Sequence, residues 1–145
     1  MQNNNQAESY ITLLELQPHP EGGYFRETYR STAEMSFPGF EENRNLCTSI
    51  FFLLKAGQRS ALHRIKSDEI WYFHDGGPLD IIEIDDNGKE IITRLGKNIL
   101  QGEALQYVVK ANRWFGAVLP EGSDFRSEEH TSELQSRVDI SYAVF

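Results

Sequence analysis

The chain has 145 residues, enough for one ordinary domain with a hydrophobic core and too few for two domains of typical size. Its 22 acidic residues outnumber its 14 lysines and arginines, and a net charge of -8 disfavours binding to nucleic acid or to an anionic membrane. Cys47 is the only cysteine, which excludes a disulfide framework within one chain. With no membrane-length apolar stretch, we expect a soluble cytoplasmic protein.

Residues 1–9 are polar and predict a disordered lead, and residues 10–16 (YITLLEL) favour a short helix that ends before Pro18. Seven segments of strand length follow, and the Asn87-Gly88 pair between two of them predicts a hairpin. The segments are 23–30, 49–54, 69–73, 79–84, 90–94, 106–109 and 114–119. Many short strands separated by glycine-bearing turns predict an all-β sandwich, jelly roll or closed barrel over residues 10–125.

One stretch has the spacing of a known motif. Gly57, His63, Glu69 and Gly76 are separated as in the first motif of the cupin superfamily, which this stretch resembles. The resemblance implies a cupin-type jelly-roll β-barrel in which two strands present histidine and glutamate ligands to one metal. Ile65 occupies the second histidine position, however, and Trp114 and Phe115 lie where the second motif would supply a histidine. We therefore expect no metal cofactor, and His63 and Glu69 would be the ligands if one bound.

Other segments resemble one branch of the superfamily, a small cupin-like family of unknown function that includes a yeast cupin. These segments are 16–29 (LQPHPEGGYFRETY), 60–64, 67–71, 95–96 and 102–106. The resemblance covers nearly all of residues 10–125 and implies a cupin barrel, usually a homodimer, with a polar and aromatic pocket for a small molecule and no assured reaction. Lys110 and Asn112 replace the proline and glycine that the family usually has at that turn.

Residues 126–145 do not continue the pattern. Residues 126–136 (RSEEHTSELQS) resemble the translation of a DNA-sequencing adapter, and residues 140–145 resemble its continuation. We hypothesise that this tail is not native and that the domain lacks its own C-terminal strands, which would expose a sheet edge. The pattern alone predicts an amphipathic helix here. Finding the tail encoded in continuous genomic DNA at the source locus would contradict the hypothesis.

The strongest candidates for chemistry are His63 and Glu69. We place them on adjacent strands that face one interior, where a carboxylate beside an imidazole suits acid–base catalysis. The alternative is a buried polar pair that only fixes strand register. Residues 22–27 (GGYFRE) are also similar to an early motif of nucleotide-sugar 3,5-epimerases, which use a histidine base without metal. This similarity favours an isomerase or epimerase in which His63 removes a proton and Tyr29 or Tyr72 donates one.

Further residues are candidates for ligand contact, with core packing or surface pairing as the alternative for each. They are Arg26, Glu27, Ser60, Trp71, Phe73, Gln106 and Trp114. Arg26 and Glu27 alternate along one strand, so only one of them can face the interior of its own subunit. The sequence thus leaves open an epimerase and a non-catalytic binding module, and it disfavours a metal-dependent oxygenase.

Overall fold

The computed structural model describes residues 2–120 and 132–140, and it describes side chains for residues 6–120. The elements are a helix α1 (Gln2–Leu13), a 3-10 turn (Ile99–Gln101) and the strands β1 (Gln17–Pro18), β2 (Tyr24–Arg30), β3 (Glu34–Met35), β4 (Arg44–Asn45), β5 (Cys47–Lys55), β6 (Arg59–Arg64), β7 (Asp68–Asp75), β8 (Leu79–Ile84), β9 (Glu90–Leu95), β10 (Gln106–Val109), β11 (Trp114–Val118) and β12 (Ser132–Ile140).

The strands form two antiparallel sheets and a separate β3–β4 pair. One sheet has six strands in the order β1-β2-β5-β12-β7-β10, and the other has four in the order β6-β11-β8-β9. The main core lies between them and includes Phe52, Trp71, Ile81 and Phe115. This two-sheet jelly roll confirms the all-β fold class.

Alternation along the strands explains the core. On β8, Leu79, Ile81 and Glu83 are fully or almost fully buried, as every second residue of a strand should be when one face covers a core. The predicted hairpin joins β8 to β9. There the Asp85 carboxylate accepts hydrogen bonds from the backbone N–H groups of Asn87 and Lys89, and Gly88 adopts a φ of 78°.

Helix α1 leads into a second, smaller apolar cluster, whose buried members are Leu16 and Leu53. Tyr10 and Ile11 of the helix pack against this cluster with Tyr24 and Phe51. Residues 2–9, expected to be a disordered lead, are helical, and the helix ends at Leu13 rather than Leu16. None of the helices in the described part of the chain could cross a membrane.

The C-terminal segment contains a strand where its sequence pattern alone predicts a helix. β12 lies between β5 and β7 and pairs with both. The facing edges of those two strands have backbone N–H and C=O groups that need hydrogen-bond partners. An extended segment of any sequence can supply these partners, because the hydrogen bonds between strands involve only the backbone. Residues 121–131 and 141–145 lie outside the described residues, and the non-native origin of the tail stays a prediction.

Candidate functional site

His63 lies on the inner face of the four-stranded sheet. It is directly opposite Phe115 of β11, which is fully buried in the core. Because residues directly opposite each other in a ladder share a face, the half-buried imidazole faces the interior. Its ring centroid is 4.3 Å from that of Phe115.

A β-bulge between β6 and β11 sets the orientation of His63. The register shifts between Phe115, which is opposite His63, and Ala117, which is opposite Ser60. Two residues of β6 therefore face Gly116 alone. A side chain at Gly116 would not fit, because its Cβ would lie 2.7 Å from the carbonyl oxygen of Ser60. Bulges of this kind change the direction of a side chain and are common beside functional sites.

The bulge places Nδ1 of His63 2.7 Å from the carbonyl oxygen of Ala61. A carbonyl oxygen can only accept a hydrogen bond, so Nδ1 carries the proton in this contact. In the neutral imidazole Nε2 then has the lone pair. The lone pair with which the ring could act as a base is therefore on Nε2.

Glu69 and Trp71 reach the interior from the opposite sheet. Both are fully buried on β7, where they face Val109 and Tyr107 of β10. The expectation that His63 and Glu69 occupy adjacent strands is wrong, because β6 and β7 belong to different sheets. Facing sheets pack about 10 Å apart, so the two residues approach one interior from opposite sides rather than as a cross-strand pair. Trp71 packs edge-on against Phe52 at 5.6 Å.

Three more candidates lie on inner faces. Ser60 is buried opposite Ala117, and its hydroxyl has no hydrogen-bond partner among the described residues. Glu27 is opposite Ile50, which packs on the core, and it forms an ion pair with Arg30. Phe73 shares the strand parity of Glu69 and Trp71.

Five predicted site residues lie on outer faces, away from His63. Arg26 donates to the carbonyl oxygen of Leu14 and pairs with Glu15. Tyr29 is 57% exposed because a bulge after Glu27 turns it to the outside. Gln106 is exposed opposite Tyr72, which therefore also faces outwards. Trp114 is 47% exposed because its neighbour Phe115 takes the inward position.

A buried polar cluster was missed by the sequence interpretation. Glu83 is only 1% exposed, accepts a hydrogen bond from the Tyr107 hydroxyl, and lies 3.7 Å from Nη1 of Arg113. Burial, and then this hydrogen bond, raises the pKa of Tyr107 above its ordinary value. Because alternate residues of a strand share a face, the sequence of β8 already places Glu83 on the same face as Ile81. The burial of Glu83 could therefore have been predicted from the strand pattern.

His19 is the second residue that sequence reasoning passed over. It belongs to the segment used for the family resemblance, but no role was assigned to it. Its ring makes edge contacts with Phe25 and Phe52, with centroids 4.9 and 5.8 Å away, on the interior side of the six-stranded sheet. Its Nδ1 accepts a hydrogen bond of 3.0 Å from the backbone N–H of Glu21.

The residues present do not fit a metal centre. In the part of the chain whose side chains are described, no group of three or more histidine, cysteine, aspartate or glutamate side chains could hold a metal ion. Ile65 offers no donor atom, and a catalytic site usually has about three protein ligands. We derive no step through a metal, and independence from metal stays a prediction.

Comparison with known proteins establishes the family. A model described as the cupin superfamily, DUF985, matches residues 8–132. The chain belongs to this cupin family. A protein from Shewanella oneidensis with a crystal structure is 34% identical to this chain, with a TM-score of 0.80. The match covers 100% of this chain and 82% of that protein's chain. A hypothetical protein from Leishmania major is 31% identical to this cupin, with a TM-score of 0.81. The match covers 96% of this cupin and 86% of that protein's chain.

More distant cupins share the fold alone. A mutant of Bacillus subtilis oxalate decarboxylase is 17% identical with a TM-score of 0.53, and the match covers 88% of this chain and 28% of that chain. No curated protein matches the sequence significantly. The comparisons thus identify a cupin of uncharacterised function.

Proposed function

We propose that this cupin binds a small polar metabolite between its sheets and acts as a metal-independent isomerase or epimerase, with His63 as general base. The observation that carries the proposal is the contact of Nδ1 of His63 with the Ala61 carbonyl oxygen at 2.7 Å. With the proton held on Nδ1, Nε2 of the neutral ring can accept a proton. The half-buried position leaves part of His63 exposed.

The expected chemistry is removal of a proton from a carbon next to a carbonyl group. Nε2 of His63 takes this proton and the imidazole becomes positively charged. Glu69 is buried on the facing sheet, and its carboxylate would offset part of the cost of desolvating that charge. Tyr29 and Tyr72 have no part in this scheme, since both face outwards.

A non-catalytic binding module is the second candidate. It is favoured by the packing of Trp71, whose full burial against Phe52 is that of a core residue rather than an open aromatic wall. In that case the contact between His63 and Ala61 serves to hold the bulge.

A thermal-shift screen separates these classes. The probes are a panel of keto-sugars, sugar phosphates and nucleotide sugars, together with divalent metals, applied to the wild type and to His63→Asn. We expect a carbonyl-bearing sugar to raise the Tm of the wild type and to raise that of the variant less. Stabilisation by metal alone would contradict the proposal and indicate a missed ligand set. A ligand that lacks an acidic C–H and stabilises both proteins equally would favour the binding module.

A further inference from the structure

A surface cavity lies between two segments that are distant in the sequence. It is lined by residues 40–44, which lead into and include part of β4, and by residues 65–67 of the turn between β6 and β7. Its volume is about 480 Å³, within the range of pockets that hold small molecules. His63 and Glu69 lie outside this lining, so the cavity needs an explanation of its own.

A tight turn shapes the aromatic side of the cavity. The N–H of Phe40 donates to the carbonyl oxygen of Phe37 at 3.2 Å, and Gly39 adopts a φ of 85°. With Pro38 before that glycine, these are the features of a type II turn, which favours glycine at its third residue. The ammonium group of Lys66 donates to the Gly39 carbonyl oxygen at 3.2 Å. This hydrogen bond connects the two walls of the cavity.

Two cationic side chains converge on the ring of Phe40. The guanidinium carbon of Arg44 lies 4.8 Å from the ring centroid, and Nζ of Lys66 lies 5.7 Å from it. Such a contact holds a cation in place without neutralising it, because the aromatic ring carries no net charge. Within residues 6–120 neither cation forms an ion pair, although Glu41 and Glu42 line the same cavity. Both cations therefore keep N–H groups that can donate to an anionic ligand.

The charged groups of the cavity divide into donors and acceptors. Arg44 and Lys66 can only donate hydrogen bonds, whereas the carboxylates of Glu41 and Glu42 can only accept them. A phosphate group suits the two cations, because its oxygens are negatively charged acceptors. The carboxylates repel a bare anion, and hydroxyl groups on the same molecule that donate to them offset this repulsion. The ligand that matches both halves has a phosphate group and several hydroxyl groups.

We propose that this cavity binds a hydroxylated phosphate monoester, the chemical class of the sugar phosphates. Arg44 and Lys66 bind the phosphate group, and Glu41 and Glu42 accept hydrogen bonds from the hydroxyl groups. The inference does not rest on the proposed function, because His63 has no part in it.

Isothermal titration calorimetry on the full chain tests the site with four probes. They are ribose 5-phosphate, ribose, inorganic phosphate and glycine, a zwitterion that has both charges and no hydroxyl group. We expect ribose 5-phosphate to bind at least about 10-fold more tightly than each of the other three, since it alone satisfies both halves of the cavity. No binding of ribose 5-phosphate by the wild type, or equal binding of ribose or glycine, overturns the inference.

Matched variants assign the phosphate to the two cations. Arg44→Gln and Lys66→Gln should each raise the Kd for ribose 5-phosphate at least about 10-fold, because a charge-assisted hydrogen bond is lost. Lys89→Gln is the control, since it removes the same charge from an exposed position of the β8–β9 hairpin. That variant should change the Kd by less than about two-fold, because distant surface charges are screened. A Kd that Arg44→Gln and Lys66→Gln both leave unchanged overturns the inference.

Replacing both carboxylates tests the other half of the cavity. The double variant Glu41→Ala, Glu42→Ala should bind inorganic phosphate more tightly than the wild type, because the repulsion is removed. Its preference for ribose 5-phosphate over inorganic phosphate should fall, because the hydroxyl groups lose their acceptors. An unchanged preference shows that the carboxylates do not bind hydroxyl groups and overturns the assignment to sugar phosphates.

Amide NMR spectra locate the bound probe. On titration with ribose 5-phosphate, we expect the largest chemical-shift changes in residues 40–44 and 65–67. The same spectra show whether each variant is folded. Changes confined to other parts of the chain place the ligand elsewhere and overturn the inference, whatever the affinity.

Discussion

At the scale of single residues, the Tyr10–Asp75 contact couples the N-terminal helix to the end of β7. The Tyr10 hydroxyl donates to the Asp75 carboxylate, and this hydrogen bond is the main cause that lowers the pKa of Asp75 below its ordinary value. Asp75 therefore stabilises the fold at pH values above about 4, its ordinary pKa. That contribution is lost as the pH falls through the lowered folded-state pKa.

Tyr10→Phe should remove this contribution. We expect a loss of about 0.5–1.5 kcal/mol in the free energy of unfolding at pH 7, which becomes smaller as the pH is lowered below 4. Carbon-13 NMR should show that the pKa of Asp75 rises towards its ordinary value. Tyr29→Phe is the control, because that exposed hydroxyl has no hydrogen-bond partner within residues 6–120. An equal loss at pH 3 and pH 7 would contradict this account.

At the scale of elements, the bulge opposite Gly116 positions His63. We expect Gly116→Ala to lower the free energy of unfolding by about 1–3 kcal/mol, because its Cβ would overlap with the backbone at Ser60. The backbone must shift, and the contact of His63 with Ala61 should then be lost. Chemical shifts of the His63 ring check this, with Val118→Ala as a control on the same strand. An unchanged ring spectrum would show that the bulge does not orient His63.

The sequence predicts most of the strands. Short segments rich in apolar residues and separated by glycine-bearing turns are typical of β-strands and of few other elements. It also predicts that His63 and Glu69 face the interior. It could not show that they lie in different sheets, since spacing along the chain does not specify which strands pair. The sequence also assigns Tyr29 to the wrong face of its strand. A bulge after Glu27 moves Tyr29 to the outer face, and the alternation of residues 23–30 gives no indication of this bulge. His19 lies in a loop, where periodicity carries no information.

At the scale of the whole molecule, the outer face of the four-stranded sheet has exposed apolar residues between charged ones. Leu62 and Ile92 are 54% and 57% exposed at opposite edges of this face. Between them Gly116 leaves a surface cavity of about 350 Å³, lined in part by Ile82 and Val118. Exposed apolar faces of this kind commonly mark an interface.

We propose that a second copy of the chain packs on this face. One row across the sheet runs Arg64, Trp114, Ile84, Glu90. Rotation about a two-fold axis parallel to the strands places Arg64 opposite the partner's Glu90. The same rotation places Leu62 opposite the partner's Ile92. We therefore expect the homodimer that the family resemblance implies to form through this face.

Sedimentation velocity tests the dimer. Ile92→Glu should raise the dimer Kd at least 10-fold, and Leu100→Glu, at a fully exposed position of the 3-10 turn, should not. Arg64→Glu and Glu90→Arg should each weaken the dimer, and the double exchange should restore it. A wild type that stays monomeric, or a dimer that Ile92→Glu leaves intact, contradicts the interface.

The central claim is that His63 abstracts a proton from a carbon next to a carbonyl group. The most direct measurement is incorporation of solvent deuterium into a keto-sugar, followed by mass spectrometry for wild-type protein and for His63→Asn. The account predicts catalysed incorporation by the wild type and a loss of at least about 100-fold in the variant. Incorporation at the same rate in both proteins would contradict it.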